Sequence, residues 1–105
     1  MEHYQVIFSP EAEMQVMELW RYLAEVAGEK TATSYTEGII SYCESLSLFP
    51  HRGNVRDDLM TGLRITNYRK RAIIAFEVED GQVRIASIWH GGQDYESSLM
   101  PDETD

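Results

Sequence analysis

The chain of 105 residues contains one cysteine, nine basic residues against 18 acidic ones, and no apolar run long enough to cross a membrane. The lone Cys43 excludes an intramolecular disulfide and a cysteine-based metal site, and its helical context predicts a buried, apolar role. The net charge of −9 argues against a protein that grips nucleic acid over a broad surface, because phosphate contacts need clustered Lys and Arg. GxGxxG and P-loop patterns are absent, so we predict no nucleotide site and no cofactor.

Other kinds of site are missing as well. His3, His51 and His90 do not stand at metal-ligand spacing from one another, so we predict no metal site. The first three residues lack the basic and then apolar character of a secretory signal, and we expect a cytoplasmic protein. A chain of this length forms one domain, which we place at residues 1–100. Residues 101–105 contain no apolar side chain, and we predict a disordered tail there.

Two helices fill the first half of the chain. Ser9 suits a helix N-cap, Pro10 suits the first helical position, and Gly28 ends the helix. A second helix is predicted from about residue 29 to about residue 48, again with apolar residues at steps of three and four. Gly38 lies in its middle, and a close approach to the first helix is the expected reason. The short connection between the two helices predicts an antiparallel helical hairpin.

The remaining segments have the alternation of strands. The β-rich run from His3 to Ser9 predicts a strand before the helices, and Asp80-Gly81 is a strong hairpin signal between two later strands. The later strands are predicted at Leu63–Tyr68, Ala72–Glu79 and Val83–Trp89. The predicted fold is therefore α+β: an N-terminal strand, a helical hairpin and a three-stranded antiparallel meander, with one sheet packed on the helices. The helices can cover only one face of this sheet, so we expect the other face to be partly open.

Strict alternation also assigns the faces of the last strand. It predicts that Val83, Ile85, Ser87 and Trp89 share one face, and that Arg84, Ala86, Ile88 and His90 share the other.

The junction between helices and strands, residues 49–64, is rich in charge. Adjacent Asp57 and Asp58 point in different directions, so together with Arg56 they favour a local ion-paired turn over a catalytic carboxylate pair. Residues 63–90 contain five bases against three acids, which makes the strand region a cationic island in an acidic chain. Four of those bases fall within eight residues, at Arg64, Arg69, Lys70 and Arg71.

Four stretches accompany this order of elements: FSPEAE at the start of the first helix, SLSLFPHRG at the end of the second, RDDLMTGLR before the sheet, and IWHGGQD at its end. Together they resemble the RelE/ParE toxin superfamily of type II toxin–antitoxin systems, over nearly the whole chain. The likeness is closest to the ParE, or plasmid-stabilisation, branch. One position departs from the pattern of that branch: where relatives usually read His-Gly-x-Arg-Asp, this chain has Gln93.

The resemblance implies a non-enzymatic toxin that inhibits DNA gyrase and is neutralised by a ParD-like antitoxin in a toxin–antitoxin hetero-oligomer. From the composition we expect no membrane partner and no direct binding to nucleic acid. The antitoxin would contact a hydrophobic groove beside the helices and sheet. We predict that the partner-binding residues are Arg56, Arg64, Arg69, Arg71, Trp89 and His90.

Two alternatives stay open at this point. A RelE-like, ribosome-dependent mRNA endoribonuclease would use Arg64, Arg84 and His90 as catalytic residues. However, His90 is followed by glycine where the nuclease branch has tyrosine, and the junction contains no lysine. The other alternative is a relative that binds an antitoxin without being toxic.

Overall fold

The computed structural model describes residues 3–91, which form two helices and a five-stranded sheet. In chain order the elements are β1 (Gln5–Phe8), α1 (Pro10–Ala27), α2 (Glu29–Glu44), β2 (Asn54–Val55), β3 (Leu63–Tyr68), β4 (Ala72–Glu79) and β5 (Gln82–His90). The strand order across the sheet is β1-β5-β4-β3-β2, with β1 parallel to β5 and the other neighbours antiparallel. The predicted order of strand, helical hairpin and meander is therefore confirmed. The tail predicted at residues 101–105 lies outside the described residues.

The helical hairpin begins and turns at the residues that its sequence signals mark. The Ser9 hydroxyl accepts a hydrogen bond from the backbone N–H of Ala12 at 3.0 Å, and Pro10 lies in the first turn of α1. Gly28 separates the two helices with a φ of 96°, a conformation that residues with a Cβ rarely adopt. Because α2 starts at the very next residue, α1 and α2 are forced into close antiparallel contact.

Several predicted bounds differ from the structure. β1 is shorter than the predicted run from His3 to Ser9, and β5 extends one residue beyond the predicted strand at each end. α2 ends at Glu44, and Ser45–Ser47 continue as a 3-10 turn, whereas the prediction carried the helix to about residue 48. The two-residue strand β2 pairs with β3 and was not predicted. A strand of this length is too short to show a period of two in the sequence.

The helices cover one face of the sheet, and the main core lies between the helices and this face. Its buried side chains come from both helices and from the central strands, and include Leu19, Ile39, Ile74, Phe76 and Ile85. On the other face, Leu59 from the junction packs on a smaller cluster formed with Leu63, Ile65 and Ala75. The face that was predicted to be partly open is thus covered at this end by the chain's own loop.

A β-bulge in β5 overturns the predicted faces of that strand. Phe76 pairs with Ile85 while the preceding Ala75 pairs with Ser87, so Ala86 is an extra residue on β5. The face assignment is therefore wrong beyond the bulge, because each side chain from Ser87 to His90 lies on the face opposite to the predicted one. Ile88 joins the core under the helices, and His90 pairs with Ala72 of that same core, so both face the helices. Trp89, between them, faces away.

Gly38 approaches the sheet, and the predicted approach to the first helix is wrong. A Cβ at this position would overlap the hydroxyl of Tyr68 on β3 and lie 3.1 Å from its Cζ. The glycine therefore allows α2 to sit close to the Tyr68 ring. Cys43, one turn further along α2, is fully buried as predicted, and burial raises the pKa of its thiol to about 12.

We predict that Gly38→Ala destabilises the protein. Overpacking costs about 1–3 kcal/mol and the higher helix propensity of alanine returns about 1 kcal/mol, so the expected net loss in the free energy of unfolding is up to about 2 kcal/mol. The measurement is urea unfolding followed by circular dichroism. The control is the same substitution in a Tyr68→Phe background, where the overlapping hydroxyl is gone and the loss should shrink. A gain in stability from Gly38→Ala with Tyr68 intact would contradict the contact.

Candidate partner-binding surface

A row of three paired residues, Tyr68, Ala72 and His90, crosses the end of the sheet on the helix side. Ala72 is fully buried and small, so it leaves space between the two rings. Tyr35 of α2 fills that space, with its ring centroid 5.7 Å from Tyr68 and 5.5 Å from His90, edge to face in both pairs. Tyr42 lies 5.7 Å from Tyr68 on its other side. We name the four rings of His90, Tyr35, Tyr68 and Tyr42 the aromatic ridge.

The far end of the ridge holds the segment that follows α2. The Tyr42 hydroxyl shares a hydrogen bond of 2.8 Å with the Thr66 hydroxyl on β3. The Arg52 guanidinium lies 5.3 Å from the Tyr42 ring centroid and 5.1 Å from that of Phe49, within the range of cation–π attraction. These contacts fix the junction against the sheet at this end.

The near end of the ridge is electrically neutral at neutral pH. Burial, followed by the proximity of Tyr68, raises the pKa of Tyr35, although Arg71 and Arg69 oppose the shift. Burial also lowers the pKa of His90, and the positive charge of Arg71 lowers it further. Within residues 3–91 the Tyr35 hydroxyl oxygen is buried and has no hydrogen-bond partner. The ridge is therefore an uncharged aromatic surface, and its cations stand at the rim.

A groove of about 580 Å³ opens beside His90, between α1 and the last part of β5. Its lining is apolar at Leu19, Tyr22 and Ile88 and polar at Gln15 and Glu18, with Arg71 and His90 at one end. β1 stops pairing at Phe8, opposite Ile85, so the edge of β5 beyond this point lacks a neighbouring strand among the described residues. Gln15 of α1 accepts the backbone N–H of Ile88 at 2.6 Å and so satisfies one donor of this edge. The groove combines an apolar floor, a strand edge and a cationic end.

The turn from β3 to β4 adds three cations next to the groove. Arg69, Lys70 and Arg71 are all exposed, and we name them the cationic turn. The Arg69 guanidinium lies 5.4 Å from the ring centroid of Tyr68, so the turn and the ridge are in contact. The cationic turn, the groove and the near end of the ridge thus form one continuous surface.

The charged junction serves the fold itself. Arg56 donates to both oxygens of the Asp58 carboxylate, with an ion-pair distance of 2.8 Å, and this contact lowers the pKa of Asp58. The Asp57 carboxylate accepts the backbone N–H of Gly62 at 2.7 Å. Arg64 is half-buried and donates to the backbone carbonyls of the preceding loop, at 3.0 Å for His51. The predicted local pairing in this turn is confirmed, and the carboxylates here brace a loop.

The six residues predicted to bind a partner lie in three separate places. Arg69, Arg71 and His90 come together at the cationic turn and groove, whereas Arg56 and Arg64 lie in the junction. Trp89 lies on the other face of the sheet, where its indole N–H donates to the Ser87 hydroxyl at 3.1 Å.

The three residues of the nuclease alternative are not brought together either. Arg84 pairs with Glu77, on the face away from the helices, and lies among Glu77, Glu79 and Gln82. Arg64 pairs with Phe76 on the helix face, four positions along β3 from the row that contains His90, which is roughly 13 Å. Within residues 3–91, no group of three His, Cys, Asp or Glu side chains is close enough to hold a metal ion.

The sequence did not reveal that the tyrosines of the ridge, which pack against the main core, also contact one another in a row. Tyr35 and Tyr42 lie at the spacing of the apolar side of α2, and this spacing predicts core positions without showing which rings meet. The available signal was Gly38 between them, since a glycine inside a helix marks a place where another group approaches closely. No helix among residues 3–91 is both long and apolar enough to cross a membrane.

Comparison with known proteins gives two kinds of likeness. A family model described as the ParE toxin of the type II toxin–antitoxin system parDE matches residues 6–95. A chain of the chromosomal ParDE toxin–antitoxin system from P. aeruginosa has a TM-score of 0.75 at 14% identity, covering 85% of this chain and 97% of that one. A chain of the toxin–antitoxin complex RelBE2 from Mycobacterium tuberculosis has a TM-score of 0.65 at 17% identity, covering 89% and 97%. At such identities the solved structures show a shared fold, and no curated protein matches the chain.

We predict that His90 titrates below its ordinary pKa of 6.5 in the folded protein. Because folded His90 holds its proton less tightly than unfolded His90, the unfolded chain binds more protons once the pH falls below about 6.5, and stability is lost from there downward. Proton NMR of the imidazole ring measures the pKa directly. Arg71→Gln should raise it part of the way toward 6.5, whereas Arg69→Gln, the matched control, should leave it in place. A folded-state pKa at or above 6.5 would contradict the burial of this ring.

Proposed function

Because this chain belongs to the ParE toxin family of type II toxin–antitoxin systems, we propose that it is a non-enzymatic toxin that inhibits DNA gyrase. A ParD-like antitoxin neutralises it by direct binding, and the two form a hetero-oligomer in the cytoplasm. The family match carries the toxin assignment, and the surface around α1 supports the antitoxin assignment.

α1 has several exposed apolar side chains, of which Tyr22 lines the groove. Four of its large side chains are more than half exposed: Met14 at 59%, Met17 at 55%, Tyr22 at 57% and Val26 at 61%. Large exposed apolar patches on a small protein mark surfaces that another protein covers. A partner segment that lay along α1 and entered the groove would cover Tyr22 and reach Arg71 and His90 at the end.

Of the six residues predicted to bind a partner, three lie where a segment in the groove could reach them. Arg69, Arg71 and His90 are proposed to contact the antitoxin, because they lie beside the groove and the first two are exposed. Arg56 and Arg64 already bind groups of their own chain, and a partner would have to compete with those contacts. Trp89 is on the opposite face and would need a second contact area.

Gyrase is proposed as the target because the matching family is ParE. The charge of the chain also favours a protein target, since a net −9 opposes the approach of ribosomal RNA. The separation of Arg64, Arg84 and His90 leaves the nuclease alternative without a cluster of its own catalytic residues in the described structure.

We expect the purified chain to inhibit supercoiling of a relaxed plasmid by gyrase. Prior incubation with the small protein encoded beside its gene should abolish the inhibition, and heat-unfolded chain is the control for non-specific effects. Primer extension on ribosome-bound message gives the complementary readout. Undiminished supercoiling together with codon-positioned cuts would overturn the gyrase assignment in favour of the nuclease, whereas inhibition without cuts would support it.

We also expect Arg71→Glu to weaken antitoxin binding by about 1–3 kcal/mol, as for an interface cation that becomes buried in the complex. Arg84→Glu is the matched control, because it makes the same charge reversal on the opposite face of the sheet and should change binding little. Isothermal titration calorimetry with the co-encoded protein measures both. Equal losses for the two variants would mean that net charge, and no particular contact, drives association.

A further inference from the structure

The cationic turn has a backbone conformation that its side chains disfavour. Arg69 has a φ of 53° and Lys70 a φ of 60°, and the backbone N–H of Arg71 donates to the Tyr68 carbonyl at 3.1 Å. Two successive residues of positive φ form the mirror-image turn that suits tight hairpins. In such a turn each Cβ crowds the following carbonyl oxygen, so Asn-Gly is the favoured pair and two long basic residues are strained.

The other hairpin of the sheet provides an internal comparison. Asp80 and Gly81, between β4 and β5, have φ values of 50° and 76°, so the same geometry is built there from residues that tolerate it. Hairpin geometry alone therefore does not account for a basic pair at positions 69 and 70. Strained residues that persist in a structure tend to lie at sites where their side chains are needed.

The side chains of the cationic turn are available to a partner. All three are exposed, and among residues 3–91 none of them forms an ion pair. Arg69 rests on the Tyr68 ring, which holds its guanidinium in place, and Arg71 stands at the end of the groove. Three adjacent positive charges are thus displayed by a chain whose net charge is −9.

We propose that the cationic turn binds carboxylates of an extended acidic segment of the antitoxin, and that an apolar side chain of the same segment lies in the groove on Leu19, Tyr22 and Ile88. This inference rests on the proposed function. It assigns Arg69 and Lys70 as residues that determine which antitoxin segment binds, although their positive φ lowers the stability of the fold. A planar guanidinium on an aromatic bed suits a carboxylate, because it offers two parallel N–H donors in a fixed orientation.

An acidic peptide segment fits this surface better than a nucleic acid does. The positive charge is confined to one turn, while a duplex or a long RNA would also meet the acidic remainder of the chain. A short peptide contacts the turn without crossing that acidic surface. The apolar part of the adjoining groove can also bind an apolar side chain of a peptide, whereas a phosphate backbone would gain nothing from it.

The test replaces the strained pair by the pair that the turn geometry favours. Arg69→Asn combined with Lys70→Gly should shift the unfolding equilibrium toward the folded state by at least about tenfold, because two left-handed residues are relieved of strain. The same double variant should bind the co-encoded antitoxin at least about tenfold more weakly, and its binding should depend less on salt. Urea unfolding and calorimetry at two salt concentrations give the two readouts.

Two matched variants separate charge from strain. Arg69→Gln combined with Lys70→Gln removes the charges and keeps side chains that the turn disfavours, so it should weaken binding without the gain in stability. Arg84→Gln removes one cation from the opposite face and should change neither property.

Each outcome bears on the proposal. If the wild-type chain binds the antitoxin and the Asn-Gly variant binds it equally well, the inference is wrong while the proposed function stands. If the wild-type chain does not bind the antitoxin, both the inference and the proposed function are wrong. Loss of binding to a 20-nucleotide RNA by these variants, with antitoxin binding unchanged, would reassign the turn to nucleic acid and overturn the proposal.

The acidic residues beyond position 91 offer another occupant for the turn. Residues 92–105 contain five acids and no base, and they follow Gly91, whose N–H donates to the Arg71 carbonyl at 3.0 Å. Replacing these acids by their amides should leave antitoxin affinity unchanged. If the amide variant instead bound the antitoxin at least tenfold more tightly, and this gain in affinity disappeared in the Arg69 and Lys70 variants, the chain's own acids would occupy the turn. The proposal would then be wrong.

Discussion

Ser9 makes the set of hydrogen bonds on which the rest of this structure depends. Its backbone N–H donates to the Ile85 carbonyl at 2.9 Å, and its hydroxyl donates to the Ala86 carbonyl at 2.8 Å. The same hydroxyl oxygen accepts the N–H of Ala12 and so caps α1. One residue thus ends β1, starts α1 and binds two carbonyls at the bulge of β5. The start of the first helix cannot move on the sheet without breaking either this cap or the two hydrogen bonds from Ser9 to β5.

The bulge that Ser9 holds decides what each face of the sheet displays. With the extra Ala86, His90 turns toward the helices and joins the row of Tyr68 and Ala72, where Tyr35 reaches it. Without that extra residue, the indole of Trp89 would occupy this row and the imidazole would lie on the far face. Two small residues complete the arrangement, since Ala72 makes room for Tyr35 and Gly38 makes room for Tyr68. The surface beside the groove is therefore a consequence of local backbone irregularity and small side chains.

This explains how far the sequence alone could lead. The bounds of β3 and β4 and the start and end of α1 were predictable, because alternation, a Ser-Pro cap and a glycine stop are local signals. The faces of β5 were not, because the bulge is stabilised by a residue 77 positions earlier in the chain. The ridge was not, because a tyrosine in a helical stripe has the same pattern whether it fills a core or lines a surface. Local chemistry predicted the elements, and contacts distant in sequence determined the site.

The charged residues show the same difference between what the sequence predicts and what only the structure reveals. The excess of bases in residues 63–90 was visible in the sequence, but their usefulness to a partner depends on what each already binds. Arg64 gives its donors to carbonyls of its own loop, so a partner that recruited it would leave those carbonyls unpaired, and that penalty opposes binding. Arg69 and Arg71 are exposed and form no ion pair among the described residues, so no internal ion pair has to break before they bind a partner. We therefore expect a partner to bind at the end of the sheet that carries the cationic turn. The charged junction of residues 49–64 lies at the opposite end of β3.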